Sequence, residues 1–139
     1  MNIQVSILKS AKKRFESKLF DLHEVLLADL FDSELDAANE LNKNGFIRAG
    51  GAVAGVVLEK HLGHICDQHA LKTRKKHASI SDFNDMLKKD GVITVAQWRF
   101  VQHLGDLRNL CDHSKDSEPT KEDVAGLISG TDKVTKTIF

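Results

Sequence analysis

A period governs what this chain can become. Leu8, Phe15, Leu19, Leu22, Leu26 and Leu30 follow one another at spacings of seven, four or three residues. Side chains so spaced share one face of an α-helix, whereas a half-buried strand alternates at every second residue. The stripe predicts a long helix from about Ile3 to Phe31, with Lys9, Lys12, Lys13, Arg14 and Lys18 largely off it on a solvated face. Phe31 and Asp32 interrupt the pattern. Ser33 then suits the N-cap of a second, shorter helix through Leu35, Ala38 and Leu41. Asn44 and Gly45 end it, because both tolerate the left-handed conformation of a helix stop.

The next segment, from Phe46 to about Leu71, is the most apolar, with Ala49, Ala52, Val53, Val56, Val57, Leu58, Leu62 and Ile65. It is expected to be the central helix of a bundle. Gly50, Gly51 and Gly55 each cost a helix about 1 kcal/mol relative to Ala, so their presence predicts close approach of a neighbouring helix backbone. They do not make a phosphate-cradling loop, since no strand precedes them and no Lys-Ser/Thr pair follows. His61, His64, Cys66 and His69 invite a metal site. Projected around the helix they cover more than a third of its circumference, and no pair has the i, i+4 spacing that aims two ligands at one ion. No metal or cofactor is assigned.

Lys72, Arg74, Lys75, Lys76 and His77 form a basic run before a short helix. This is the most concentrated positive charge in the chain, and Lys72, Arg74, Lys75 and Lys76 are the candidates for RNA backbone contacts. The short helix has Ser79 or Ser81 as cap, Phe83, Met86 and Leu87 as its apolar side, and Asp90 and Gly91 at its end. Thr94 caps a further helix from Val95 to about Asp112. Thr120 with Asp123 makes a capping box that opens the last helix, which carries Val124, Leu127, Ile128, Val134 and Ile138. No segment alternates like a strand, so the expected fold is all-α: an up-and-down helical bundle of four to six helices, with residues 1–139 as one domain. Helical pattern begins almost at the first residue, which leaves room for this domain to belong to a longer protein.

Twenty Lys and Arg balance twenty Asp and Glu. Proteins that coat nucleic acid through bulk electrostatics need a basic face, so any RNA contact here must be local. Cys66 and Cys111 do not make a disulfide framework, and neither a secretory signal nor an apolar run long enough to span a bilayer is present. A soluble, cytoplasmic chain without a membrane partner is expected.

The chemistry concentrates in Arg108, Asn109, Leu110, Cys111, Asp112 and His113. A guanidinium is permanently charged and grips phosphate oxygens through a planar fork, and an imidazole moves protons near neutral pH. On an unbroken helix the two would stand about 140° apart, so both reach one phosphate only if the helix ends near Asp112. The polar run from Ser114 through Pro119 provides such an end. A structural account competes: Arg108 can pair with a helix-face acid and His113 can cap a helix C-terminus. Glu59, on the central helix, is the acid placed to orient Arg108 or His113, or else to pair at the surface with Lys60.

The run R-N-L-C-D-H resembles the signature of the HEPN superfamily (higher eukaryotes and prokaryotes nucleotide-binding domain): Arg, a polar residue, a short variable stretch and then His. Arg108, Asn109 and His113 match it. The resemblance implies a metal-independent endoribonuclease, with His113 as general base or acid, Arg108 holding the scissile phosphate and Asn109 orienting it. It also implies a homodimer, an RNA substrate, and a setting such as RNA processing, phage defence or a toxin with a cognate antitoxin or regulatory protein. The chain departs in having no Tyr after His113, which leaves the toxin branch that carries one unassigned. The alternatives are a non-catalytic HEPN-like module that binds RNA, nucleotide or protein, and a helical oligomerisation domain of a larger regulator.

Overall fold

The computed structural model describes residues 3–112 and 117–139. Among these every regular element is a helix: α1 (Ile3–Lys43), α2 (Ile47–Gln68), α3 (Ile80–Lys89), α4 (Val95–Asp112) and α5 (Lys121–Thr137). The all-α expectation is met. The chain divides into two compact units, Met1–Phe31 and Asp32–Phe139.

The expected break at Phe31 and Asp32 does not occur, and Ser33 caps nothing. Helix α1 runs through all three residues to Lys43. The first 44 residues contain neither Gly nor Pro, and Asp or Ser inside a helix costs well under about 1 kcal/mol. The apolar positions Leu35 and Ala38 beyond them are buried, which outweighs that loss. The stop at Asn44 and Gly45 is as expected: Gly45 has φ +89°, and the amide of Phe46 returns to the Leu41 carbonyl at 2.9 Å.

In the first unit the apolar stripe is exposed. Leu8, Phe15, Leu19, Leu22, Leu26 and Leu30 are 48–69 % accessible.

The second unit is a helical bundle with α2 at its centre, packed against α3, α4 and α5, while α4 also meets α3 and α5. Leu58 and Leu62 of α2, Leu87 of α3, Leu104 of α4 and Leu127 of α5 are fully buried. The glycines of α2 explain how the neighbours fit, with one correction. Only Gly50 faces a helix backbone, where an added Cβ would lie 2.8 Å from the Ala38 carbonyl oxygen. Gly51 and Gly55 instead receive side chains of α4, namely Cys111 and Arg108. Helix α2 closes at Ala70, which takes φ +56° while the Leu71 amide reaches the Cys66 carbonyl at 2.8 Å. Ser79, rather than Ser81, caps α3 through a reciprocal box with Asp82, and Thr120 does the same for α5 with Asp123. No described helix is long and apolar enough to cross a membrane.

Candidate functional site at the end of the fourth helix

The last turn of α4 is positioned by α2. Because Gly55 has no side chain, the stem of Arg108 lies directly against it: an added Cβ would come within 2.5 Å of Arg108 Cγ. The guanidinium is then held from two sides. Its Nη2 lies 3.4 Å from Glu59 Oε2 on α2, and its Nε lies 2.8 Å from Asp112 Oδ2 one turn along α4. All three side chains are partly exposed, so the triad is a fixed but wet charge cluster. Glu59 thus meets Arg108, the first of its two suggested partners, rather than only a surface lysine.

One turn end further, Cys111 fills the space over Gly51. Its thiol contacts the Leu107 carbonyl at 3.4 Å. Burial, reinforced by Asp112, pushes its pKa up, and burial pushes the Cys66 thiol up to about 11. Both free thiols are therefore protonated and poorly nucleophilic near neutral pH.

The end of α4 is capped by a residue that carries no local signal in the sequence. Arg48, in the first turn of α2, donates from Nη1 to the carbonyls of Leu110 and Cys111 at 3.1 and 3.0 Å, and from Nε to Glu118 at 3.0 Å. A cation on the last carbonyls of a helix satisfies orphan acceptors and opposes the negative end of its dipole. Arg48 also ties that end to Glu118, on the far side of the segment that carries His113. His113 itself lies outside the described residues.

Beside Arg108 is a cleft of about 280 Å³ lined by Ser79 and Ser81 of the α3 start and by Gln102, Asp106, Arg108 and Asn109 of α4. Its lining is mainly polar, and the exposed Asn109 amide has no partner among the described residues. Lys72, Arg74, Lys75 and Lys76 are exposed in the connection between α2 and α3. Lys75 bonds Asp82 at 2.8 Å, which joins this basic connection to the same α3 terminus that lines the cleft. Two larger hollows of the second unit, about 460 and 480 Å³, lie between the end of α1 and α5 and do not involve Arg108.

His61 of α2 and His69, which follows its last turn, meet carbonyls of the last two residues. His61 Nε2 is 2.8 Å from the Ile138 carbonyl and His69 Nε2 is 3.4 Å from that of Phe139, while Cys66 approaches the Phe83 carbonyl at 3.9 Å. No protein-family model, curated protein or solved structure matches the chain.

Proposed function

We propose that the second unit is a metal-independent endoribonuclease of HEPN type, acting at Arg108, Asn109 and His113. The observation that carries this reading is the immobilised Arg108: its guanidinium is held by Glu59 and Asp112 at the rim of a polar cleft, in the last turns of the helix that bears Arg108 to Asp112 of the R-N-L-C-D-H run. Nη2 donates to Glu59 while Nε meets Asp112 as an ion pair without an aligned hydrogen bond, which leaves the Nη1 edge for a phosphate oxygen. A donor already held in place stabilises charge developing on that phosphate without reorganising at the moment of reaction. Compensation by two carboxylates keeps the local field modest, in line with a chain whose total charge is zero.

In the proposed reaction His113 removes the proton of a ribose 2′-hydroxyl. The 2′-oxygen attacks phosphorus, the P–O5′ bond breaks, and a protonated group returns the proton to the leaving 5′-oxygen. The products are a 2′,3′-cyclic phosphate and a 5′-hydroxyl end. Arg108 holds the non-bridging oxygens, Asn109 orients them, and the loop of Lys72, Arg74, Lys75 and Lys76 contacts flanking phosphates. The same resemblance brings a homodimer and a cognate antitoxin or other regulatory protein as partners.

Purified protein incubated with end-labelled RNA in EDTA tests this. Cleavage with cyclic-phosphate ends is expected, falling about 10²- to 10⁴-fold in His113→Ala. Arg108→Ala should lose activity as well, and Arg108→Lys should recover little, since an ammonium lacks the planar fork. A second reading, a binding-only module, is favoured by the compensated charge of Arg108. It predicts intact RNA with all these proteins, together with RNA binding that weakens in Arg108→Ala, and that outcome would end the catalytic proposal.

A further inference from the structure

The apolar stripe of the first unit, Leu30 aside, is part of a stricter pattern. Val5, Leu8, Lys12, Phe15, Leu19, Leu22, Leu26 and Asp29 alternate at spacings of three and four without a slip. That is the seam of a coiled coil, interrupted by a single cation near one end and a single anion at the other. Its apolar members are all exposed, from 42 % at Val5 to 69 % at Leu8. Helices gain most of their stability by burying such a seam, so a partner surface is called for.

We propose that this face pairs with the same face of a second copy of the chain, in antiparallel orientation. Charge complementarity selects the occupant. Residues 9–18 hold Lys9, Lys12, Lys13, Arg14 and Lys18 against one acid, Glu16, whereas residues 21–29 hold Asp21, Glu24 and Asp29 and no Lys or Arg. Two parallel copies would set basic block on basic block and acidic on acidic. Two antiparallel copies set each block on its opposite.

The seam also fixes the register. Placing Leu19 opposite Leu22 of the second copy puts Phe15 opposite its Leu26, and Lys12 falls opposite its Asp29. Four apolar layers are then closed at both ends by a Lys12–Asp29 pair, so the two residues that spoil the seam of one helix complete the seam of two. The Lys12 ammonium is 3.9 Å from Glu16 of its own helix, a largely exposed pair of the kind that contributes little, which leaves it available. The seam uses no residue of the cleft, and it gives an interface, orientation and register to the homodimer that the proposed reading brings with it.

Sedimentation velocity of the full chain over a concentration series tests it. A monomer–dimer equilibrium is expected. Leu22→Asp should raise the dissociation constant by at least about a hundredfold, since it charges two symmetry-related layers. Lys12→Asp and Asp29→Lys should each weaken the dimer about tenfold or more by setting like charges together at both ends, and the double variant should return to within about threefold of the starting value. Circular dichroism of each variant checks that helix content is retained. A chain that stays monomeric to millimolar concentration, as it would if this face served a different protein, overturns the proposal. A dimer insensitive to Leu22→Asp overturns the interface, and failure of the charge swap to rescue overturns the orientation. RNA cleavage measured on the same variants reports separately on the catalytic reading.

Discussion

Residues 3–31 of α1 and the whole of α2 are both long helices rich in Leu and Val, yet their apolar residues meet opposite fates. Leu58, Leu62 and Ile65 of α2 are buried, whereas Leu19, Leu22 and Leu26 of α1 are about half exposed. Glycine marks the difference. Helix α2 carries Gly50, Gly51, Gly55 and Gly63, each facing a neighbouring group that a methyl would crowd, while the α1 stretch has none. A helix meant to be surrounded gives up propensity to let neighbours in. One meant for a seam along a single face keeps its propensity.

The sharpest way to break this contrast is to delete the same atoms from both helices. Leu58→Ala should cost the full chain about 2–5 kcal/mol in urea unfolding, because it opens a cavity in a closed core. Leu22→Ala, measured at concentrations that keep the chain monomeric, should stay within about 0.5 kcal/mol. Similar losses at both sites would show that the first unit is packed after all.

A smaller effect sharpens the role of glycine. Gly51→Ala should destabilise by about 1–3 kcal/mol, because the new methyl takes the space of the Cys111 side chain. Cys111→Ala in the same molecule should recover most of that loss. A double variant as unstable as the sum of the two singles would mean that the cost is backbone strain rather than this contact.

The smallest effect contrasts how helices begin. The first turn of α1 holds no acid, whereas α3 starts on the Ser79–Asp82 box. The Lys75 ammonium, with help from the Ser79 amide and hydroxyl, holds the Asp82 carboxyl down at about 2, below its ordinary value near 3.8. The folded state thus binds this proton less readily than the unfolded one, so the stabilisation is complete above about pH 4 and is lost as pH falls from there toward about 2. The protection of the first-turn amides of α3, taken relative to free-peptide exchange at each pH, should fall across that window. In Asp82→Asn that protection should be low throughout and lose this pH dependence.

Much of the fold was legible because helix signals are local. The capping boxes at Ser79 and Thr120 and the stop at Gly45 are written in residues within one turn of where they act. The break expected at Ser33 failed for a physical reason of the same kind in reverse. A good cap residue ends or starts a helix only where continuing it would cost more, and the burial of Leu35 and Ala38 favours continuation. At the candidate site the sequence pointed to Arg108, Asn109 and Glu59, because charged groups on a helical repeat are conspicuous. It gave no hint of Arg48, whose partners Leu110, Cys111 and Glu118 lie more than 60 residues away.

By itself, then, the sequence determined the helical class, many helix limits, the apolar stripe of α1 and the chemical identity of the R-N-L-C-D-H run, all of which follow from spacing and side-chain type. Only the tertiary structure decided that Gly51 and Gly55 make room for Cys111 and Arg108, that Glu59 and Asp112 share one guanidinium, and that Arg48 closes the end of α4. These depend on which helix faces meet across the bundle. Period alone leaves that choice open, because every apolar stripe has the same affinity for any other until side-chain volume and charge are matched in space.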